Sequence, residues 1–259
     1  MNVNSEPDFA KIRLFVEANL APGAQVALGA EQAHYIRSVM RRNAGDAVRF
    51  FNGRDGEWSA ELTEVSRKSV LAMCMRQMRP QDQLRDIALL FAPIKRAPMA
   101  YLVEKATELG VTRFCPIITG RTQGHANPLS LRARAIEAAE QSWRLGIPDI
   151  AAPIKLSAVL AAWPAGGRLL FCDEASVSGV SAPPMLKALQ AIAPGMRAHA
   201  NSVLIGPEGG FSPEERDALR AAPFAIPVSL GPRIVRAETA AVMALTLWQC
   251  VLGDLADNR

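Results

Sequence analysis

Leu204-Ile-Gly-Pro-Glu-Gly-Gly-Phe-Ser-Pro-Glu-Glu215 and Leu230-Gly-Pro-Arg-Ile-Val-Arg-Ala-Glu-Thr-Ala240 decide the reading of this chain. In each, an apolar run stops at a Gly-Pro turn and gives way to a helix start. The two turns are 25 residues apart, a spacing that lets them lie side by side at the end of one sheet. Such a pair would build a pocket largely from backbone, which suits a small-molecule cofactor.

The first turn follows a strand, Ser202 to Ile205. Gly206 and Pro207 bend the chain at the C-terminal end of that strand, where open α/β sheets bind ligands. Gly209 and Gly210 allow close approach and positive φ. Ser212-Pro-Glu-Glu215 is a capping box with proline at the first helical position. Capping accounts for Ser212, Pro213 and Glu215. It leaves Glu208 unexplained, a carboxylate on a tight turn, and loop positions of this kind often carry function. The lysine of a phosphate loop is absent and the glycines do not fit GxGxxG, so the common nucleotide cradles are excluded. In the second turn, Arg233 and Arg236 stand at a helix N-terminus, against the helix dipole. That placement points to an anionic or developing-negative partner; the plain alternative is surface arginines in a loop. Glu238 and Thr239 are ordinary helix-start residues.

Working outward, strands alternate with helices from Asp86 onward. The strands are Ile87–Phe91, Val111–Ile118, Arg168–Cys172, Ser202–Ile205 and Ala225–Leu230. The helices are Pro98–Leu109, Ser130–Arg144, Pro183–Ile192, Pro213–Arg220 and a final one from about Glu238 to Leu252. This alternation predicts an α/β domain with a mainly parallel sheet. The first 80 or so residues are β-rich, with short strands at Arg13–Val16, Asp46–Phe51, Glu57–Val65 and Ser69–Met75 and one helix, Glu31–Met40. Turn residues between them predict a small barrel. The boundary falls in the polar stretch Arg79 to Gln83, dividing the chain into domains 1–80 and 81–259.

The bulk composition restricts the field further. Of 259 residues, 49% are apolar and 21% charged, which supports a substantial core and argues against disorder. A net charge of +4 allows a nucleic-acid partner without requiring one. Cys74, Cys115, Cys172 and Cys250 have no metal-ligand spacing and lie in apolar surroundings, so they read as buried free thiols of a reducing compartment. His34, His125 and His199 form no cluster, and no metal is expected. The N-terminus lacks the features of a signal peptide. The most apolar stretch, Ala240–Leu252, is too short to cross a bilayer. A soluble, cytoplasmic protein is expected.

With these motifs in view, the chain resembles the SPOUT superfamily of trefoil-knotted, S-adenosylmethionine-dependent RNA methyltransferases. Within it, the chain is most similar to the 16S ribosomal RNA uracil-N3 methyltransferase family. The likeness also covers Glu104–Val111, Thr119-Gly-Arg-Thr122, Glu137–Arg144 with Ile147-Pro148, Arg13–Val16 and His34–Asp46, so it runs from about residue 13 to 252. Two positions depart from the family pattern: Ala237 replaces a threonine, and Trp143 stands where a small residue is usual. The resemblance implies a trefoil-knotted α/β methyltransferase domain preceded by a PUA-like RNA-binding barrel, acting as a homodimer on 16S ribosomal RNA or the small subunit.

It also implies site residues. Leu204, Ile205, Gly206, Pro207, Glu208, Gly210, Leu230, Gly231, Arg233, Ile234, Val235 and Thr239 would hold S-adenosylmethionine. Methylating N3 of uridine requires removal of its proton and stabilisation of the resulting charge. Arg236 or Arg233 would stabilise the uracilate, and Glu208 would orient the base or accept its proton. Whether Glu208 and Arg236 do chemistry or hold the loops in shape is open at this point. Arg37, Arg41 and Arg42 would contact RNA, and Arg121 and Arg144 would contact RNA or line the site across the dimer. Arg76, Arg79, Lys95, Arg96, Arg132 and Arg134 could extend the basic track. Two rival functions stand beside this one: a ribose 2′-O methyltransferase of the same superfamily, and a catalytically silent RNA-binding ribosome-assembly factor.

Overall fold

The computed structural model describes residues 12–83, 85–173, 182–196 and 201–256. It separates into two compact units. The first comprises Met1–Gln83 with Ala139–Ile147, and the second Leu84–Ala138 with Pro148–Arg259.

The first unit contains β1 (Arg13–Phe15), β2 (Gln25–Ala27), α1 (Ala30–His34), β3 (Ala47–Phe51), β4 (Glu57–Val65) and β5 (Val70–Arg79). A π-helical turn, Tyr35–Val39, continues α1. The strands form one sheet in the order β1-β3-β4-β5-β2, parallel between β1 and β3 and antiparallel elsewhere. Trp58, Ala60 and Leu62 of β4 alternate inward, as a period of two demands of a half-buried strand. Three register shifts between β4 and β5 curl the sheet. The expected barrel is therefore a curled half-barrel, with β1 and β2 at its two ends. The short β2 carries too little apolar pattern to be read from sequence.

Glu57 is fully buried in this unit and ion-pairs with Arg13, Arg49 and Arg79, which come from three other strands. Burial pulls the Arg13 guanidinium below its ordinary value, opposed by its hydrogen bond to Glu57. Arg13 also donates to the carbonyls of Ala139 and Arg144, and Glu140 accepts the N–H of Phe15 at 2.9 Å. These bonds explain why Ala139–Ile147 belongs to the first unit, a grouping that a boundary drawn along the chain cannot contain.

In the second unit lie β6 (Ile87–Phe91), α2 (Arg96–Glu108), β7 (Arg113–Ile118), α3 (Pro128–Gln141), β8 (Asp149–Ile150), β9 (Ile154–Lys155), α4 (Leu156–Ala161), β10 (Arg168–Cys172), α5 (Met185–Met196), β11 (Asn201–Ile205), α6 (Pro213–Ala221), β12 (Ala225–Val228) and α7 (Ala237–Val251). The last turn of α3 counts with the first unit. The sheet runs β12-β10-β11-β6-β7-β8, with β9 also on β7, and every pairing is parallel. The helix expected over Ser130–Arg144 ends at Gln141, because Trp143 takes a left-handed φ of 60°. β8, β9 and α4 were not legible in sequence: two are two-residue strands, and α4 has under two turns.

Both faces of this sheet are covered, so its strands are apolar runs rather than alternating ones. Ile87, Leu89, Phe91, Val203 and Ile205 face a core that includes Val103, Leu189 and Trp248 from α2, α5 and α7. Leu90, Phe171 and Leu204 face the opposite core, with Leu156 and Leu219 from α4 and α6. Within α7, Gln249 is buried but satisfied: its amide donates to Leu109 O at 2.6 Å and accepts from Asp254 N at 2.7 Å. Of the four free cysteines, Cys74 and Cys172 are buried, Cys115 is half-buried and Cys250 is exposed, so the expectation of burial fails at Cys250. It sits on the outer side of α7, where helical periodicity turns it away from the core.

Candidate functional site

Because β10, β11 and β12 are parallel, their C-terminal ends lie along one edge of the sheet. The two Gly-Pro turns leave that edge after β11 and β12. The reading of them as side by side is corrected: β10 runs between them and brings Cys172 and Asp173 to the gap.

The first turn is built by close approach. A Cβ on Gly206 would meet the Phe211 ring at 3.0–3.1 Å, so only glycine fits without a shift. Phe211 is buried edge-on against Phe171, with ring centroids 6.5 Å apart. Gly210 N–H donates to Pro207 O at 2.8 Å, and Gly210 has a φ of 69°. Glu208 is exposed at the tip. The capping box forms as read: Glu215 N–H donates to Ser212 Oγ at 3.2 Å and Ser212 N–H to Glu215 Oε2 at 2.9 Å. The Ser212 hydroxyl, donating to Glu214, holds that carboxyl below its ordinary range.

The Thr119–Thr122 loop docks on this turn. Gly120 N–H donates to Glu215 Oε1 at 2.7 Å, and Arg121 Nη1 donates to Gly209 O at 2.7 Å. Arg121, expected to touch RNA, thus braces the first turn with one guanidinium nitrogen.

In the second turn, Gly231 has a φ of 114° and its N–H donates to Ser229 Oγ at 3.2 Å. Arg233 and Arg236 are exposed, and Ile234 is 74% exposed. Arg236 is the N-cap of α7: its backbone is extended and its carbonyl accepts Ala240 N–H at 2.8 Å. Ala237 is buried in the core beside Ala240 and Ala241, where a methyl packs without needing a hydroxyl partner.

Asp173 is a site residue that sequence reasoning missed. It is 3% exposed at the end of β10, and its carboxylate pairs with Arg216 at 3.2 Å and Arg220 at 2.7 Å. Its N–H donates to Val228 O at 3.0 Å, tying β10 to the strand that feeds the second turn. The available signal was an aspartate closing an apolar strand, together with two arginines four apart on α6.

These parts enclose a cavity of about 540 Å³. Ile205, Gly206, Pro207, Glu208 and Gly210 line it from the first turn, and Ile234, Val235 and Arg236 from the second. Lys95, Asp173, Arg216 and Glu238 add charged groups. A smaller cavity of about 40 Å³ shares the walls Cys172, Asp173, Ile234 and Val235, and takes in Leu230, Gly231 and Arg233. Two expected residues line neither. Leu204 points to the opposite face of the sheet, and Thr239 is exposed on α7.

Four of the residues expected to contact RNA, Arg37, Arg41, Arg42 and Arg144, lie in the first unit. Arg37 donates to Ser66 O at 2.9 Å, Arg41 is exposed with a φ of 52°, and Arg42 is half-buried. Arg144 is 8% exposed and its Nε donates to Gly146 O at 2.7 Å. Arg144 is therefore a buried arginine, held by the backbone of its own loop.

Known proteins share this fold. Residues 80–249 match the family model of the RNA methyltransferase domain, and residues 28–72 that of the RNA methyltransferase PUA domain. The ribosomal RNA small subunit methyltransferase E of Rickettsia conorii is 29% identical, over 90% of this chain and 93% of its own. Its namesake from Synechocystis is 33% identical, over 90% of this chain and 75% of its own. A Legionella pneumophila methyltransferase solved with bound SAM superposes with a TM-score of 0.77 at 27% identity, covering 94% of this chain and 98% of that one.

Proposed function

Because the chain belongs to the ribosomal RNA small subunit methyltransferase E family, we propose that it methylates N3 of a uridine in the decoding region of 16S ribosomal RNA, with S-adenosylmethionine as methyl donor. One observation carries the assignment of the site. Glu208 from the first turn and Arg236 from the second line the same cavity, at the C-terminal edge of a parallel sheet.

The cavity fits the cofactor. Its volume of about 540 Å³ lies within the usual range of small-molecule sites. Its walls are peptide groups and small residues from Ile205 to Gly210 and from Ile234 to Ala237, beside apolar side chains. These residues, with Leu230, Gly231 and Arg233 behind them, would hold it. When bound, S-adenosylmethionine supplies an electrophilic methyl group.

The chain's own groups then have separate tasks. Glu208 orients the uracil or accepts its N3 proton, which frees the ring lone pair as nucleophile. The Arg236 guanidinium stabilises the negative charge spread over N3 and its flanking oxygens. Arg233 adds a second cation on the same turn. Asp173, clasped by Arg216 and Arg220, holds the cavity wall. The target base must be unpaired or turned out of its stack to reach the site.

Arg37, Arg41 and Arg42 on the first unit, and Arg121 on the second, are assigned to RNA. Residues 1–80 are taken as the RNA-binding domain and 81–259 as the catalytic one, with the chain from β11 to α7 threaded as the family's knot. The enzyme is taken to work as a homodimer in the cytoplasm, the exposed Ile234 beside the cavity supplying apolar surface for a second copy. Among the described residues, no helix is long and apolar enough to cross a membrane.

The test is methyl transfer to small-subunit RNA by Arg236→Ala and Glu208→Gln, with the product nucleoside identified. Loss of one charge-stabilising group should lower turnover roughly 100- to 1,000-fold. Full activity in both variants, or a ribose-methylated product, overturns the assignment.

A further inference from the structure

We propose that Trp143 is a stacking platform for an unpaired RNA base, an inference that rests on the RNA-directed reading above. Trp143 follows α3 and has a φ of 60°. Bulky side chains rarely adopt this left-handed region, and such outliers collect at functional sites. Arg41 is the only other non-glycine residue with positive φ among the described residues. Burial does not offset the strain at Trp143, because the residue is 44% exposed.

The surroundings say what the exposed indole suits. The Arg49 guanidinium lies 5.1 Å from its ring centroid and that of Arg13 lies 6.0 Å away. Arg79 donates to the Trp143 carbonyl at 2.6 Å. These three arginines share the buried Glu57, and Glu140 is a further carboxylate acting on Arg13. The Arg79 side chain is itself 40% exposed. A flat π surface flanked by guanidinium groups matches a nucleobase and its phosphates. An apolar protein surface would have to cover those guanidinium groups. Only an unpaired base has a free face to offer, since duplex bases stack on one another.

The experiment compares Trp143→Gly and Trp143→Phe with the parent chain. Glycine accepts a φ of 60° without strain, so that variant keeps its fold, and phenylalanine keeps a ring. Binding of a short oligouridylate and of a blunt RNA duplex is measured by filter retention, and oligouridylate binding also by tryptophan emission. Trp58 and Trp248 are buried and Trp163 is stacked on Phe224, which leaves Trp143 as the reporter. The expected result is quenching by oligouridylate that disappears in both variants. Oligouridylate affinity should fall about tenfold in Trp143→Gly and much less in Trp143→Phe, with duplex affinity unchanged. Equal affinity of Trp143→Gly and the parent for oligouridylate overturns the proposal, as does an equal loss for duplex RNA. A change of Trp143→Gly to a smaller sedimenting species overturns it in favour of contact with a second copy. Absence of any RNA binding by the parent chain overturns the RNA-directed reading as well, so the two failures are distinguishable.

Discussion

Glu215 accepts the Gly120 N–H at 2.7 Å through one carboxylate oxygen and the Ser212 N–H at 2.9 Å through the other. One side chain thus closes the start of α6 and anchors a loop 95 residues earlier in the chain. In Glu215→Gln, a single amide oxygen remains as acceptor, and the NH2 group is turned toward an N–H. Loss of that capping half should cost about 1 kcal/mol in urea denaturation. S-adenosylmethionine affinity measured by calorimetry should fall as well, because the anchored loop also braces Gly209 through Arg121. Unchanged stability and affinity would show that the clasp has no energetic role.

Gly206 tests the close approach at the first turn. In Gly206→Ala, the new methyl would lie 3.0–3.1 Å from the buried Phe211 ring. Overpacking of this kind costs about 1–3 kcal/mol. The ring or the turn must move, so cofactor affinity should drop about tenfold or more. Gly209→Ala is the contrast: its nearest neighbour would be Arg121 Cδ at 3.6 Å, an ordinary contact, and its effect should be much smaller. Equal effects at the two positions would contradict the steric account.

Asp173→Asn tests the clasp on the cavity wall. Removing the charge leaves Arg216 and Arg220 facing a neutral amide in a buried setting. Breaking a fully buried pair costs about 3–5 kcal/mol. Both arginine side chains are partly exposed, at 29% and 28%, and solvent screens the loss, so about 2 kcal/mol is expected. Urea denaturation with an unchanged slope would measure it.

Asp55 provides a pH-dependent prediction for the first unit. The Leu20 N–H at 2.9 Å and the Asn52 amide at 2.7 Å hold its carboxyl below the ordinary range. A carboxylate depressed by folding stabilises the fold above its unfolded pKa of about 3.9, and that contribution is lost as pH falls through the lower folded value. Below about pH 4, the thermal midpoint of the parent chain should therefore approach that of Asp55→Asn. Parallel curves across the acidic range would remove Asp55 as a cause.

Much of this was legible locally. The strands Glu57–Val65, Ile87–Phe91 and Arg168–Cys172 have the bounds that their apolar patterns imply. The Ser212 capping box is a four-residue signal and forms as read. The Leu204 side chain faces the opposite core for a local reason too. The preference for a run of apolar residues does not say which alternate members face the cavity edge and which face the opposite core. Arg144 follows a helix, where a basic residue reads as surface, while here it is buried, its Nε donating to Gly146 O and its carbonyl accepting from Arg13.

The sequence by itself determined the alternating strands and helices, the two Gly-Pro turns and the residue types that could do chemistry there. These depend on neighbours a few positions apart, where backbone sterics, capping and periodicity act. Only the tertiary structure decided that β10 separates the turns and places Asp173 between them, with its carboxylate on Arg216 and Arg220. It alone decided that Arg13 holds the carbonyl of Arg144, 131 residues away. Burial supplies the physical reason: a polar group taken out of water must find its partner wherever packing brings one, and separation along the chain does not limit that search.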